Sequence, residues 1–136
     1  MTDTVRFRTI LIADDSQMAR AFLRRCFETS GIKDCTYIEA SDGAAALPLL
    51  RNGGVDLVVA DLNMPVMGGD RLLESIRSSP RLARIPVMIV SSLAGPQRCM
   101  QLLEQGAQAV LFKPVAVQDL EEALVSVTRF VAGTTS

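Results

Sequence analysis

The chain has 136 residues, of which 49% are hydrophobic and 21% are charged, and its formal net charge is −1. This length corresponds to about one domain, and the apolar content excludes an intrinsically disordered chain. The charge balance gives no basic excess for binding a nucleic-acid backbone, and the absence of histidine excludes Ser-His-Asp catalysis and histidine-based zinc sites.

Cysteine usage and the lack of targeting segments predict a soluble, cytoplasmic protein. The chain has an odd number of cysteines and no CxxC pair, so we expect reduced thiols at Cys26, Cys35 and Cys99. The first residues show no apolar segment behind a positive cluster, which predicts no secretory signal. No apolar run approaches the ~18 residues of a membrane span, so we expect no membrane partner.

Short apolar runs alternate along the chain with longer stretches of helical periodicity. The predicted strands are 10–13, 35–39, 57–60, 87–90 and 109–112, and the predicted helices are 16–29, 43–50, 70–78, 95–105 and 117–131. Five such units predict an α/β fold in which helices cover both faces of an open parallel sheet. We expect one domain at 7–132, with flexible tails at 1–6 and 133–136.

The first two helices carry specific expectations. Ser16 is predicted to cap the first helix and Asp42 the second. The core-facing stripe of the first helix is predicted from apolar spacing: Met18, Ala21, Phe22 and Cys26. Its arginines are predicted to form a solvated face: Arg20, Arg24 and Arg25. Pro48 lies inside the second helix, where a missing backbone donor predicts a kink or an early end.

Polar side chains gather at the carboxyl ends of four predicted strands. Asp14 and Asp15 follow the first strand, Asp61 the third, Ser91 the fourth and Lys113 the fifth. In an open α/β sheet this edge holds the ligand crevice, where the strand order reverses. In the order 2-1-3-4-5 the first and third strands are neighbours, so the three aspartates converge there.

This grouping predicts a magnesium-assisted phosphoryl site. Three adjacent carboxylates repel one another unless a cation lies among them, and oxygen ligands without histidine or thiolate are typical of Mg²⁺. Beside the metal, the Asp61 carboxylate is a nucleophile able to form an acyl phosphate. Lys113 supplies a compact positive charge for a phosphoryl oxygen, and the Ser91 hydroxyl can donate to another.

Five separated motifs, in order and spacing, carry a family resemblance over about residues 8–131. They are Asp14-Asp15, the segment 61–65, Gly68-Gly69, the segment 90–92 and Lys113-Pro114. Together they resemble the receiver domain of two-component response regulators. The resemblance implies a (βα)5 flavodoxin-like fold of order 2-1-3-4-5 and a single-domain, chemotaxis-type protein switched by phosphorylation.

The resemblance also implies ligands and a phosphoryl donor. Asp61 would be the phosphoacceptor, charged from the phosphohistidine of a partner histidine kinase or phosphotransfer protein. Mg²⁺ would be ligated by Asp15, Asp61 and the backbone carbonyl of Asn63, with Asp14 assisting through water. The chain would promote its own phosphoryl transfer and aspartyl-phosphate hydrolysis and be no enzyme toward other molecules.

Ser91 would be the switch hydroxyl, and Lys113 would contact the phosphoryl group. The phosphorylated chain would then bind a downstream effector protein, and we expect the face formed by 95–105, 109–112 and 117–131 to bind it. Neither nucleic acid nor membrane is expected as a partner.

One position departs from the family pattern. Members usually carry Tyr or Phe three residues before the lysine, where it turns inward during switching, but this position is Val110. The aromatic residue is Phe112, which points the same way as Val110 only if no bulge intervenes. We therefore expect coupling through backbone shifts of the loop after Ser91, within 91–98.

Sequence features bear on four alternatives to the phosphoryl switch. A non-phosphorylated pseudo-receiver, acting as a constitutive interaction module, gains weight from the missing aromatic. A flavin or nucleotide carrier is disfavoured because the first strand-end loop is acidic and has no phosphate cradle. A DNA-binding regulator would need a helix-turn-helix after 131, and a phosphatase would need a second carboxylate where Asn63 stands.

Overall fold

The computed structural model describes residues 7–135, and side-chain surroundings as far as residue 131. The strands are β1 (Thr9–Ala13), β2 (Thr36–Ala40), β3 (Leu57–Asp61), β4 (Val87–Ser91) and β5 (Ala109–Phe112). The helices are α1 (Gln17–Thr29), α2 (Gly43–Arg51), α3 (Gly69–Ser78), α4 (Pro96–Glu104) and α5 (Val117–Thr135). The predicted bounds differ from these by a single residue at most, except that α5 continues past residue 131 to Thr135.

All strand pairs are parallel, and the sheet order is β2-β1-β3-β4-β5, as predicted. β1 and β3 are neighbours with Ala13 opposite Ala60, so the residues that follow them meet at one edge. β5 is the outer strand beside β4, with Ser91 opposite Phe112. This topology gathers all five predicted polar positions at the carboxyl edge of the sheet.

Helices on the two sheet faces enclose two separate apolar cores. One core joins alternate residues of the central strands, such as Leu11, Val58 and Ile89, to α2, α3 and α4. The other joins the intervening residues, such as Ile12 and Val59, to α1 and α5. Burial of each large aliphatic side chain stabilises the fold by roughly 1.5–3 kcal/mol. All residues of β3 and β4 are buried, which explains their near-continuous apolar runs.

The predicted caps of α1 and α2 are confirmed. Ser16 Oγ accepts a hydrogen bond from Ala19 N at 3.1 Å, and Asp42 Oδ1 accepts one from Ala45 N at 2.8 Å. Each cap satisfies one of the backbone donors that a helix leaves free at its start. The two caps fix where the chain turns after β1 and after β2.

The predicted core stripe of α1 is wrong except at Cys26. The buried residues of this helix are Leu23, Cys26 and Phe27, whereas Met18 is 84% exposed and Phe22 is 46% exposed. Both sets have helical spacing, so periodicity alone does not choose between them. The docking of α1 against α5 turns the Leu23 and Phe27 side inward.

Pro48 does not end α2 early. The helix passes through it to Arg51, and the carbonyl of Pro48 still accepts a hydrogen bond from Asn52 N at 3.2 Å. Pro48 is exposed, and its ring removes only the donor that would have reached the carbonyl of Ala44. The predicted early end is therefore wrong.

The predicted terminal tails fall largely beyond the description. Residues 1–6 and 136 lie outside the described residues, and the backbone of 133–135 belongs to α5. The flexibility assigned to these tails stays a prediction. Within residues 7–135, no helix is both long enough and apolar enough to cross a membrane.

Candidate functional site

Three carboxylates meet at the carboxyl edge of the sheet, as the sequence predicts. Asp14, Asp15 and Asp61 each offer one carboxylate oxygen, and these oxygens lie within 4.8 Å of one another. Asp14 is fully buried, Asp61 is 7% exposed and Asp15 is exposed to solvent. The cluster therefore has a buried floor and one side open to a ligand.

Backbone geometry places the carboxylates. Asp14 and Asp15 directly follow β1, and Asp61 is the last residue of the adjacent strand β3. The backbone N–H of Ser16 donates to Asp14 Oδ1 at 2.9 Å, which holds that side chain at the start of α1. Asp61 Oδ1 accepts a long hydrogen bond of 3.4 Å from Asn63 N.

Two glycines let the chain return closely to β3 before α3 begins. A Cβ at Gly69 would lie 2.5 Å from the backbone oxygen of Asp61, and one at Gly68 would collide with the backbone oxygen of Leu62. Val66, between them and the strand, has φ 66°, a left-handed conformation that is rare for a β-branched residue. This tight loop keeps Asp61 at the base of an open crevice.

Lys113 supplies the positive charge of the cluster. Its Nζ donates to Asp14 Oδ2 at 2.8 Å and to Asp61 Oδ2 at 3.3 Å. Burial raises the pKa of Asp61, and the charge of Asp14 adds to this effect while Lys113 opposes it. Burial alone would lower the pKa of Lys113, but its contacts with Asp14 and Asp61 outweigh burial, and that pKa is raised.

Ser91 lies at the end of β4, one residue past the partner of Asp61 in the β3–β4 ladder. It is fully buried, and its Oγ accepts hydrogen bonds from Leu93 N at 3.2 Å and Ala94 N at 3.0 Å. Its hydroxyl proton remains available to donate. The side chain thus links the crevice to the loop that leads into α4.

The site's oxygen donors fit a magnesium ion. Mg²⁺ binds oxygens at about 2.0–2.1 Å, so two oxygens on opposite sides of it lie about 4.2 Å apart. The three carboxylate oxygens lie within 4.8 Å of one another, which is close to that spacing, and oxygen ligands are those that Mg²⁺ prefers. The carboxylates that would hold the ion are those of Asp14, Asp15 and Asp61; the water-mediated contact of Asp14 and the role of the Asn63 carbonyl stay predictions.

The prediction that Arg20 is solvated is wrong. Its side chain is only 16% exposed, and it contacts Asp14 and Glu39. Arg24 and Arg25 are exposed as predicted. No local pattern separates these three arginines, because the contacts of Arg20 depend on how β2 lies beside β1.

The strand pairing defines the directions of Phe112 and of Val110, which stands where the family usually has an aromatic residue. β5 pairs with β4 without a bulge from Ala109 to Phe112, so Val110 and Phe112 point to the same face. Val110 packs against the core beneath α2, α3 and α4, and Phe112 is 49% exposed. Phe112 lies opposite Ser91, closer to the site end of the strand than Val110.

The predicted effector face is formed by neighbouring elements, because α4 and α5 both contact β5. It presents large apolar side chains to solvent: Met100, Leu103, Phe112 and Val125. Its function as a binding face stays a prediction.

Known proteins resemble this chain in sequence. Residues 10–125 match the family model described as "Response regulator receiver domain". The chain is 33% identical over 124 residues to "Chemotaxis protein CheY" of Pseudomonas aeruginosa, covering 91% of this chain and 98% of that protein. It is also 36% identical over 111 residues to "Sensor histidine kinase TmoS" of Ectopseudomonas mendocina, covering 82% of this chain and only 11% of that protein.

A solved structure shows the same fold. The receiver domain of the Francisella response regulator 1452 superposes with a TM-score of 0.77 at 27% identity, covering 91% of this chain and 98% of that one.

Proposed function

Because this chain belongs to the family of response regulator receiver domains, we propose that it is a signalling protein switched by phosphorylation of Asp61. The phosphoryl donor is a histidine kinase or phosphotransfer protein, and the phosphorylated chain binds a downstream protein. The observation that carries this proposal is the junction of three carboxylates with the Lys113 ammonium at one sheet edge.

The residues of the site suit phosphoryl acceptance. An Asp61 carboxylate oxygen forms a bond to phosphorus as the bond from phosphorus to the donor's imidazole nitrogen breaks, and the imidazole leaves with the bonding electron pair. Lys113, at 3.3 Å from Asp61 Oδ2, binds a phosphoryl oxygen through its point charge. Asp14, Asp15 and Asp61 are the carboxylates that would hold Mg²⁺, which when bound would offset the charge of the phosphoryl oxygens.

Ser91 couples the site to the rest of the molecule. Its Oγ accepts from the N–H groups of Leu93 and Ala94, so a hydroxyl that turns to donate to a phosphoryl oxygen changes both hydrogen bonds. The loop before α4 shifts with them. This route needs no aromatic residue at Val110, which supports coupling through the backbone of 91–98.

The downstream partner binds the face formed by α4, β5 and α5. The loop after Ser91 leads directly into α4, and Phe112 pairs with Ser91 across β4 and β5. Met100 is 62% exposed and Leu103 is 47% exposed, which gives this face an apolar centre. A protein partner recognises such a surface, and the chain lacks the basic excess that a nucleic acid would need.

The chain's own chemistry is confined to accepting the phosphoryl group and promoting its hydrolysis, so we propose no enzymatic activity on other molecules. Cys26, Cys35 and Cys99 are free, which is consistent with a cytoplasmic, reducing location. The second candidate is a pseudo-receiver that binds partners constitutively, and Val110 in place of the family's aromatic residue favours it.

Intact-mass analysis tests the proposal. The chain is incubated with acetyl phosphate and Mg²⁺, as wild type, Asp61→Asn and Asp119→Asn, the last being a matched change at an exposed position on α5. We expect one phosphoryl adduct on wild type and Asp119→Asn, none on Asp61→Asn, and none on any form after chelation of Mg²⁺.

The other outcomes separate the candidates. An equal adduct on Asp61→Asn would place the acceptor elsewhere and contradict the proposal. If no form carries an adduct, and a histidine kinase also fails to label wild type, the pseudo-receiver is the better description.

A further inference from the structure

Arg20 of α1 lies behind the acidic cluster and is held in one position by two short contacts. Its Nη1 donates to the backbone oxygen of Asp14 at 2.6 Å, and its Nε donates to Glu39 Oε1 at 2.6 Å. A guanidinium that is 16% exposed and bound on two sides is well ordered. The carbonyl it binds belongs to the peptide bond that joins Asp14 to Asp15.

The three carboxylates differ in how they are held. Asp14 accepts from Ser16 N and from Lys113, and Asp61 accepts from Lys113 and Asn63 N. Within the part of the chain that the structure describes, the Asp15 carboxylate accepts no hydrogen bond and forms no ion pair. Its direction therefore depends on the backbone that carries it.

We propose that Arg20 is a positioning residue for the metal site, an inference that rests on the proposed function. By fixing the peptide plane before Asp15, it holds the Asp15 carboxylate toward Asp14 and Asp61. It binds the main-chain oxygen of Asp14, so it occupies none of the carboxylate oxygens that would bind the ion. Groups behind metal ligands that orient them contribute roughly 10–100-fold to metal affinity.

Glu39 completes the arrangement. It is the residue before the last of β2, and its carboxylate binds Nε of the guanidinium whose Nη1 donates to the Asp14 carbonyl. Removal of the Glu39 charge weakens one contact of the Arg20 side chain and leaves its contact with the Asp14 carbonyl. The structure thus predicts a graded series, in which loss of Arg20 has a larger effect than loss of its anchor.

A magnesium titration of the whole chain, without phosphodonor, tests this inference. Binding of Mg²⁺ is followed by NMR shifts of backbone amides in 14–16 and 61–63. We expect Arg20→Gln to raise the dissociation constant for Mg²⁺ roughly 10–100-fold. The dissociation constant of Arg20→Lys should fall between those of Arg20→Gln and wild type, because lysine keeps the charge without the two-sided contact. Arg25→Gln, an exposed change on the same helix, should bind as wild type.

Two further measurements separate positioning from simple destabilisation. Thermal unfolding without Mg²⁺ reports any loss of fold stability, and Glu39→Gln is a milder variant that should weaken Mg²⁺ binding several-fold in a well-folded chain. Unchanged Mg²⁺ affinity in Arg20→Gln or Glu39→Gln would overturn the role of Arg20 while leaving the proposed function intact. No Mg²⁺ binding by wild type would overturn both.

Discussion

At the residue scale, Lys113 determines the electrostatics of the site. One ammonium group contacts two carboxylates, of which Asp14 is wholly buried. Because the pKa of Lys113 is raised, its contribution to stability is fully present below its unfolded-state pKa and is lost as pH rises through the folded value. The raised pKa of Asp61 acts in the same direction, since burial disfavours its carboxylate form in the folded state and the cost of ionising it appears as pH rises from the ordinary aspartate pKa towards the folded value.

We predict that Lys113→Arg impairs switching more than phosphorylation. A planar guanidinium cannot place one compact charge between Asp14 and Asp61 and then on a phosphoryl oxygen. Loss of one charge-assisted hydrogen bond should reduce the switched population roughly tenfold or more. Amide shifts of 91–98, measured with phosphodonor and Mg²⁺ beside the intact-mass adduct, check this.

The matched control is Lys33→Arg, which changes the other lysine of the chain at an exposed position. Shifts in Lys113→Arg that equal those of Lys33→Arg would contradict the role given to Lys113.

Most of the site was predictable at this scale, because its residues directly follow strands. Asp14, Asp61 and Ser91 each end an apolar run, and that local signal fixes their edge of the sheet. Arg20 was not predictable in this way. It contacts Glu39, which is distant in the sequence. The same local sequence is compatible with a long side chain that points to solvent and with one that points to a neighbouring element.

At the element scale, the proposed coupling runs through the segment from β4 to α4. Ser91 belongs to the strand, while Leu93 and Ala94, which donate to its Oγ, belong to the loop. Leu93 is 90% exposed, so the hydrogen bonds to Ser91 Oγ help to hold this turn at its start. A short element with few buried apolar contacts is the part of a fold that moves most readily.

We predict that Ser91→Ala leaves phosphorylation of Asp61 detectable but removes the response of the loop. Without Oγ, the amides of Leu93 and Ala94 lose their acceptor, and their hydrogen exchange should quicken about fivefold, as the loss of one hydrogen bond of about 1 kcal/mol implies. Phosphodonor and Mg²⁺ should then produce no further change within 91–98.

Ser91→Thr, which keeps the hydroxyl, should restore the response, and Ser92→Ala at an exposed position should behave as wild type. A full loop response in Ser91→Ala would sink the proposed coupling.

The elements themselves were predicted well, since strands buried on both faces read as apolar runs and the caps lie beside them. The buried side of α1 was not. Met18 and Phe22 share helical spacing with Leu23 and Phe27, and only packing against α5 chooses between the two sides. The effect of Pro48 on the length of α2 was overestimated, because the Asp42 cap and the buried face stabilise this helix.

At the scale of the whole molecule, the two edges of the sheet have opposite properties. The carboxyl edge gathers charges that repel one another and is stabilised by Lys113. At the other end of the sheet, the Arg77 guanidinium donates to the backbone oxygens of Ala83, Ile85 and Gly106 at 2.6–3.2 Å. It thereby joins α3, the loop before β4 and the turn before β5.

Two neighbours of Arg77 show that this arrangement is closely packed. Its guanidinium carbon lies 5.8 Å from the ring centroid of Phe130 on α5, within cation–π range. Gly106 has φ 108°, and a Cβ there would lie 2.7 Å from Arg77 Nε. Glycine is thus required at position 106 by both backbone conformation and space, at the opposite end of the strands from Asp61.

We predict that Arg77→Met lowers the free energy of unfolding by about 3 kcal/mol without preventing phosphorylation of Asp61. Methionine fills similar space but removes the guanidinium donor of the Ala83 and Ile85 oxygens and leaves Gly106 O with only the 3.3 Å hydrogen bond from Gln108 Nε2, and an unsatisfied buried group costs about 1–3 kcal/mol. Urea unfolding of the two forms measures the loss, and the intact-mass assay at 25 °C tests the site. Arg81→Met, an exposed change near the same edge, should stay within about 0.5 kcal/mol of wild type. If the two variants unfold alike, the stabilising role of Arg77 is wrong; if Arg77→Met stays folded but takes no phosphoryl group, the two edges of the sheet are coupled, contrary to the separation argued here.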